Sequence, residues 1–242
     1  MTISSPHNDK LKQIRKLTRQ RRAREQAGRF VAEGEDLLAA ADAAGWPALE
    51  RFCVAGSGLD GVEVEPDLLA AASGLGSGTR TLGVFAERWA PAPTGPLCVY
   101  LHGIHDPGNV GAVLRSAQAF GASCVALGPG TADPFGHKAV RASMGALFAV
   151  PLARASGDPG ELPGETIALV AGAGVALSEL TPPDAASRSL TILVGSERDG
   201  LPEALTAAAD HVAHIPIRTH SLNAAMAATV ALYELTHRIP AR

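Results

Sequence analysis

The sequence predicts an α/β protein: a small N-terminal α/β module, then a larger domain built on a mostly parallel sheet with helices on both faces. Three observations support this prediction. Apolar strand segments alternate with helical segments after residue 96, a Pro-rich segment at 91–96 divides the chain, and basic residues concentrate near the N-terminus. Strands that alternate with helices form parallel sheets covered on both faces. The 242 residues are enough for two cores, so we expect domains over 1–90 and 97–242, with 91–96 as linker.

The N-terminal module is predicted to mix helices and strands. Leu11, Ile14 and Leu17 recur among basic residues, which indicates an amphipathic helix with a cationic outer face. Gly45, followed by Pro47, closes a second helical segment. The predicted elements are a helix over 8–26, a helix over 33–45, a strand over 51–55, a short helix over 67–72 and a strand over 81–86.

The larger domain is predicted from its alternating pattern. Its strands are expected over 97–101, 123–127, 147–151, 166–171, 190–194 and 212–217, and its helices over 110–120, 136–145, 202–209 and 221–238. In open α/β sheets, ligands bind beyond the carboxyl ends of the strands. Three polar segments follow predicted strands here, so we expect the binding site at that edge.

Composition excludes several classes of protein. No run reaches the roughly 18 apolar residues of a membrane span, and no hydrophobic region follows the basic N-terminus, so neither a span nor a secretory signal is expected. Cys53, Cys98 and Cys124 are far apart and predict buried thiols in a reducing cytoplasm. The histidines are scattered without metal-ligand spacing, so no metal site is expected.

Charge is distributed unevenly along the chain. Net charge is −3, yet residues 1–29 contain nine of the 21 Lys and Arg and only two of the 24 acidic residues. This asymmetry indicates a polyanionic partner such as RNA, and a solvated helix face is the alternative. The residues predicted to bind RNA are Arg15, Lys16, Arg19 and Arg22.

The first polar segment, DPGNVGAVLR at 106–115, opens a predicted helix. A step of about 100° per residue separates its apolar side from a side that carries Gly111 and Arg115. Asn109 occupies the expected N-cap position. Arg115 is therefore expected to face a ligand, although an ordinary surface arginine is the alternative.

The other two segments follow later strands. LVGSERDGLP at 193–202 has small residues at a strand exit, where a ligand can lie against the main chain. Glu197 is either the partner of an arginine or an ordinary first-turn acid. HSLNAAMA at 220–227 opens the last predicted helix, whose first N–H groups are free to bind a ligand, and Ser221 is alternatively only a cap.

A fourth segment resembles part of a nucleotide-binding motif. AGAG at 171–174 follows a predicted strand as in a dinucleotide fingerprint, but Leu177 occupies the position of the third glycine. Without that glycine the helix cannot approach the pyrophosphate turn closely. A nicotinamide-dependent oxidoreductase is therefore a disfavoured alternative.

Taken in order, the three polar segments resemble the signature motifs of SpoU-type (TrmH-like) RNA methyltransferases of the SPOUT superfamily. The matching patterns are DPGN-x-G-x3-R at 106–115, GSE-x2-G at 195–200 and IPI-x3-SLN at 215–223, and GRFVAEG at 28–34 resembles the family's substrate-binding domain. The resemblance implies a C-terminal trefoil knot, S-adenosyl-L-methionine as methyl donor, a ribose 2′-hydroxyl of RNA as acceptor, and a homodimer.

The resemblance also implies roles for individual residues. The implied catalytic residues are Arg115, positioned by Asn109, Glu197 and Asn223, and Ser221 at the cofactor edge. The implied cofactor-binding residues are Gly195, Ser196, Ile215, Ile217 and Leu222. A guanidinium group is almost never neutral in a protein, so Arg115 either clamps a phosphate and the developing alkoxide or, in a dry site, acts as a base.

The predicted function is therefore methylation of a ribose 2′-hydroxyl of RNA in the cytoplasm. Ribosomal RNA is favoured, because the two-domain layout resembles the members that modify ribosomal RNA. His220 and the pair Ala224-Ala225 depart from the family pattern, which weakens the inference about substrate. A tRNA methyltransferase and a non-catalytic RNA-binding protein on the same fold are the alternatives.

Overall fold

The computed structural model describes residues 2–74, 78–180 and 189–238. The helices are α1 (Asp9–Arg19), α2 (Arg21–Ala27), α3 (Glu35–Ala43), α4 (Pro66–Ala72), α5 (Pro107–Ala119), α6 (His137–Ala142), α7 (Ala146–Ala149), α8 (Glu203–Ala208) and α9 (Ala224–Arg238). The strands are β1 (Arg29–Glu33), β2 (Glu50–Val54), β3 (Val62–Val64), β4 (Thr81–Ala86), β5 (Leu97–Leu101), β6 (Cys124–Leu127), β7 (Leu152–Arg154), β8 (Glu165–Leu169), β9 (Val175–Ala176), β10 (Leu190–Val194) and β11 (His211–His214).

The chain divides into two units by packing. Unit 1 consists of Met1–Arg88 and Asp133–Ala149, and unit 2 consists of Trp89–Ala132 and Val150–Arg242. The sheet of unit 1 has the order β1-β4-β2-β3, with β4 antiparallel to both of its neighbours. The apolar face of α1 (Leu11, Ile14 and Leu17) packs into the core of this unit, as its periodicity predicts.

The predicted helix over 8–26 is two helices, because Gln20 adopts an extended conformation (φ −121°, ψ 112°) between α1 and α2. Arg24 also departs from the predicted cationic face. Its side chain is only 7% exposed and forms an ion pair with Asp133 at 2.7 Å. Its guanidinium donates to the carbonyl of Leu17 at 2.7 Å, near the end of α1. Arg24 is therefore a structural residue and does not belong to the basic surface.

An aromatic cluster explains two further differences in unit 1. Phe30, on the strand β1 that the sequence does not predict, stacks on Phe85 and contacts Phe135 and Phe148. The predicted strand over 147–151 is wrong, because Phe148 belongs to the short helix α7 and packs in this cluster. Strand β7 begins only at Leu152. A short apolar run fits either element, and tertiary packing decides between them.

The sheet of unit 2 has the order β7-β6-β5-β10-β8-β11-β9, and all of its strand pairs are parallel. Every residue of β5 and β10 is buried, which requires cover on both faces. The predicted parallel α/β architecture is confirmed. Strand β11 ends at His214, so residues 215–217 lie beyond the strand and not within it.

Helices α5 and α9 pack on each other in unit 2. The hydroxyls of Ser116 and Thr229 are 2.6 Å apart, and Phe120 meets the ring of Tyr233 edge-on at 6.0 Å. Helix α5 begins at Pro107 with Asp106 as its N-cap, so the predicted cap at Asn109 is wrong. The first polar segment lies at the N-terminus of α5 and the third at the N-terminus of α9. The two segments therefore belong to the same packed pair of helices.

Candidate functional site

The three polar segments meet at one edge of the unit 2 sheet. They follow β5, β10 and β11, and the parallel pairings β5–β10, β10–β8 and β8–β11 align the carboxyl ends of these strands. This is the edge at which open α/β sheets bind ligands. The sequence-based prediction that these segments share a location agrees with the strand order.

A hydrogen-bonded cluster joins one residue from each segment. The Asn109 side-chain amide donates to Glu197 Oε1. The Asn223 amide donates to Asn109 Oδ1 at 3.0 Å and to Glu197 Oε1 at 3.3 Å. Because a carboxylate accepts hydrogen bonds only, Glu197 can bind both amides at once. The cluster fixes the starts of α5 and α9 against the loop that follows β10.

Asn223 has a second role as the N-cap of α9. Its Oδ1 accepts from the backbone N–H groups of Ala225 at 3.0 Å and Met226 at 3.3 Å. The N–H of Ala224 lies 3.5 Å from Glu197 Oε1. The predicted helix start at Ser221, with Ser221 as its possible cap, is therefore wrong. Ser221 lies in the preceding loop, where it is exposed.

A cavity of about 410 Å³ lies beside the cluster. It is lined by Leu169, Val170, Ala171, Val194, Gly195, Ser196, Glu197, Arg198, Asp199, Gly200, Leu201, His214, Ile215, Ile217, His220, Ser221, Leu222, Ala224 and Ala227. All five predicted cofactor-binding residues and Ser221 are in this wall. Glu197 belongs to both the cluster and the cavity, whereas Asn109, Arg115 and Asn223 do not line it.

The loop after β10 is held by its own backbone. Ser196 and Gly200 exchange two backbone hydrogen bonds of 3.2 and 3.0 Å, and the Ser196 hydroxyl accepts from the N–H of Asp199 at 3.0 Å. A Cβ atom at Gly195 would lie 2.2 Å from the carbonyl carbon of Gly200. The close approach of this chain segment therefore requires glycine at 195, independently of any ligand.

Arg115 is exposed on α5, with no hydrogen bond or ion pair to any described residue. Glu197 binds Asn109 and Asn223 instead, so the implied contacts that would position the arginine are absent. Gly111, predicted to share its side of the helix, is buried. Arg115 is connected to the cluster only through the helix that carries Asn109.

A buried tyrosine fixes an imidazole next to the same loop. Burial and the charge of Glu161 raise the pKa of Tyr100 to about 12, and burial lowers the pKa of His102, so both side chains are neutral near pH 7. Their Oη and Nδ1 atoms are 2.9 Å apart. If the buried hydroxyl donates to Nδ1, both groups are satisfied and the proton of His102 is on Nε2. The backbone N–H of His102 donates to the carbonyl of Val194, the last residue of β10 before the loop that follows it.

The basic residues near the N-terminus divide into paired and unpaired groups. Lys10, Lys12 and Arg21 form ion pairs with Glu50, Asp9 and Glu25. The four residues predicted to bind RNA (Arg15, Lys16, Arg19 and Arg22) have no carboxylate partner within the described chain. Arg15 is half-buried and donates to the carbonyl of Pro6 at 3.1 Å, and the other three are exposed.

The cavity also contains residues for which the sequence analysis made no prediction. They include His214, at the end of β11, and Leu169 and Val170, at the end of β8 and just beyond it. Leu169 and His214 are the last residues of β8 and β11 and Val170 follows β8, so their place at the carboxyl ends of parallel strands is the signal that could identify them. Over the described ranges, no group of three or more His, Cys, Asp or Glu could hold a metal ion. None of the described helices is long and apolar enough to cross a membrane.

Comparison with known proteins identifies two family models that match this chain. Residues 96–233 match the SpoU rRNA Methylase family, and residues 8–73 match the MRM3-like substrate binding domain. The 23S rRNA (guanosine(2553)-2'-O)-methyltransferase RlmP of Bacillus subtilis is 35% identical over 138 residues, which are 54% of this chain and 54% of RlmP. The chain spans about half the length of the curated relatives it matches.

Two solved structures are similar over nearly the whole chain. An AdoMet-bound rRNA methyltransferase from Sinorhizobium meliloti superposes with a TM-score of 0.88 at 29% identity, covering 100% of this chain and 99% of the other. The SpoU methyltransferase AviRb from Streptomyces viridochromogenes, in complex with AdoMet, has a TM-score of 0.85 at 26% identity, covering 98% and 100%. The SpoU rRNA Methylase match includes more than half of the residues of this chain, and the chain therefore belongs to that family.

Proposed function

We propose that this protein transfers a methyl group from S-adenosyl-L-methionine to a ribose 2′-hydroxyl of ribosomal RNA. The observation that carries the proposal is the Asn109–Glu197–Asn223 cluster, which unites the three motifs beside the cavity. RlmP is named as a 2′-O-methyltransferase of 23S rRNA, and both similar structures bind AdoMet, which supports the same activity here.

The cavity fits an adenosyl sulfonium compound. Its volume of about 410 Å³ lies within the range of ligand pockets. Leu169, Ile215 and Leu222 offer apolar surface to a purine. The two carboxylates of the loop, Glu197 and Asp199, outnumber its one cation, Arg198, which favours a cationic sulfonium nearby. When bound, S-adenosyl-L-methionine supplies an electrophilic methyl group. Gly195, Ser196, Ile217 and Ser221 complete the wall that would hold it.

The protein's own residues have separate tasks in this proposal. The cluster holds the N-termini of α5 and α9 in place, and most of the rate gain comes from positioning the two reactants. Arg115, which has no carboxylate partner among the described residues, clamps a phosphate next to the acceptor ribose and stabilises the developing alkoxide. A phosphate oxygen or water then takes the hydroxyl proton, because a guanidinium group is a poor base.

The N-terminal residues 1–90 would bind the RNA, and residues 97–242 would carry the chemistry. Phosphate contacts are open to four cations that have no carboxylate partner among the described residues: Arg15, Lys16, Arg19 and Arg22. An enzyme acting on ribosomal RNA would work in the cytoplasm. The cysteines support this assignment, since all three are free and buried.

Neutralising the basic surface should weaken RNA binding selectively. For Arg15→Gln/Arg19→Gln/Arg22→Gln we expect weaker RNA binding. The slope of log Kd against log salt concentration should also become shallower by about two to three, because each lost phosphate contact removes about 0.7–0.9 from the slope. Fluorescence anisotropy with rRNA at several salt concentrations measures both. Affinity for S-adenosyl-L-methionine should not change. If the triple variant binds RNA as the wild type does, the assignment of this surface is wrong.

We further propose a homodimer and a trefoil knot in the C-terminal domain, both implied by the family resemblance. Helix α9 carries an exposed apolar stripe, Met226, Val230 and Tyr233, with 61%, 40% and 50% of their surface accessible. Their spacing puts them on one side of the helix. A second copy of the chain would cover this stripe, because exposed contiguous apolar surface is typical of protein interfaces.

Disrupting the stripe should dissociate the dimer. We expect Val230→Arg to shift sedimentation-equilibrium mass from dimer to monomer, because an unpaired charge buried in an interface is strongly unfavourable. Val175→Arg is the matched control, since Val175 on β9 is an exposed valine of comparable accessibility (50%, against 40% for Val230) but lies outside the stripe. If Val230→Arg remains a dimer and Val175→Arg becomes a monomer, the dimer interface does not include the stripe.

The activity itself is tested in two steps. Calorimetry with S-adenosyl-L-methionine measures cofactor binding, and tritium-methyl transfer to purified rRNA and tRNA measures catalysis and RNA preference. Cofactor-independent RNA binding with no transfer would favour the non-catalytic alternative. Transfer to tRNA alone would favour the tRNA enzyme. Mapping 2′-O-methyl sites in cells with and without the protein would identify the nucleotide.

A further inference from the structure

A second cavity of about 730 Å³ adjoins the proposed cofactor cavity. Its lining residues are Ala171, Gly172, His214, Ile215, Pro216, Ile217, Arg218, Thr219 and His220. The two cavities share the chain segment after β11 as a common wall. A ligand group bound in the second cavity would therefore be next to one bound in the first.

The charges of the two cavities differ. The first is lined by the carboxylates of Glu197 and Asp199 together with Arg198, whereas the second is lined by Arg218 and, among the described residues, by no acid; His214 and His220 line both. Arg218 and His220 are exposed, and neither side chain forms a hydrogen bond or ion pair with the described residues. The guanidinium of Arg218 is therefore a positive charge without a carboxylate partner among the described residues, which suits an anionic group.

The other polar side chains of this cavity are engaged elsewhere. His214 Nδ1 is 3.3 Å from the carbonyl oxygen of Ala173, and because a carbonyl only accepts, Nδ1 carries the proton. The Nδ1 proton of His214 is therefore engaged by this carbonyl and is not available to an anion. The Thr219 hydroxyl donates to the carbonyl of Ser221 at 3.4 Å. Arg218, with His220 beside it, remains as the donor for an anion.

We propose that the second cavity is an oxyanion subsite in which Arg218 is the principal ligand. The planar guanidinium binds two oxygens of a phosphate or carboxylate at once. Within the proposed function, on which this identification of the ligand rests, the oxyanion is either an RNA phosphate or the carboxylate of the methionine part of the cofactor. Changing Arg218 would weaken RNA binding in the first case and cofactor binding in the second.

Arg218→Gln distinguishes the sources. If the oxyanion is an RNA phosphate, the variant binds rRNA more weakly, and the salt dependence of log Kd falls by about 0.7–0.9. If it is the cofactor carboxylate, calorimetry shows roughly tenfold weaker binding of S-adenosylhomocysteine but unchanged binding of 5′-methylthioadenosine, which lacks the carboxylate. Arg154→Gln is the control, because Arg154 is exposed in the same unit but lines neither cavity.

A third measurement depends on neither RNA nor cofactor. Inorganic pyrophosphate should protect Arg218 of the wild-type protein from phenylglyoxal, as read by peptide mass spectrometry, while Arg154 continues to react. The subsite is refuted if pyrophosphate gives no protection and Arg218→Gln behaves as the wild type with rRNA and with S-adenosylhomocysteine. If the wild type binds neither rRNA nor S-adenosylhomocysteine, the proposed function fails instead, and the pyrophosphate result still decides on the subsite.

Discussion

Arg115→Ala should lower kcat for methyl transfer by about 100- to 1,000-fold, the usual effect of removing one donor that stabilises charge in the transition state. Affinity for S-adenosyl-L-methionine should remain unchanged, because Arg115 does not line the cavity. Stability should also be preserved, since the side chain is exposed and has no partner among the described residues. Single-turnover tritium transfer and calorimetry measure the two quantities separately.

Two further variants test how Arg115 acts. Arg115→Lys keeps the charge but loses the planar fork, so we expect activity well below the wild type. Gln118→Ala changes another exposed residue of α5 and should be nearly neutral. Near-full activity of Arg115→Lys would exclude a bidentate clamp, and near-full activity of Arg115→Ala would remove the arginine from the mechanism.

The shared location of the site could be predicted because it depends on topology. Parallel strands align their carboxyl ends, so motifs that follow β5, β10 and β11 must meet at one edge. The pairing inside the site could not be predicted in the same way. Glu197 can bind an arginine or amides with similar chemistry, and only the packing of α5 on α9 brings Asn109 and Asn223 to it. Two interpretations of Glu197 were open from the sequence, the partner of an arginine or a first-turn acid, and its carboxylate instead binds the two amides.

Helix starts were predicted less well than helices. Asp106 and Asn109 can both cap a helix, and so can Ser221 and Asn223. The true cap is the last residue before the chain becomes helical, which depends on how the preceding loop is held. In α9 that position belongs to Asn223, because its amide is fixed by Glu197 and Asn109 while its oxygen binds the first turn.

Long-range packing in unit 1 was not predictable from local patterns. The pattern treats Arg24 as one more cation on an amphipathic helix, yet its partner Asp133 is 109 residues away. The same unit places Phe30 against Phe135 and Phe148, which are also distant from it in the sequence. Neither contact leaves a periodic signal, because each depends on where residues 133–149 pack.

Arg24→Ala should therefore destabilise the protein by about 3–5 kcal/mol, the cost of leaving one member of a buried ion pair without its partner. The side chain of Asp133 is only 14% exposed, so water cannot fully replace the guanidinium. The variant also removes the donor to the Leu17 carbonyl. Urea unfolding of the full chain measures the change, since urea does not screen charge as guanidinium salts do.

The controls separate the buried pair from the charge itself. Arg22→Ala removes an exposed, unpaired arginine of the same helix, so its effect should stay below about 0.5 kcal/mol. Arg24→Met/Asp133→Asn removes both charges and should recover part of the stability that Arg24→Ala loses, because no uncompensated ion is left buried. If Arg24→Ala proved no more destabilising than Arg22→Ala, the ion pair would not be what anchors α2 to residues 133–149. A double variant less stable than Arg24→Ala would instead assign the loss to the hydrogen bonds of Asp133, including the one that it accepts from the N–H of Phe135 at 2.9 Å.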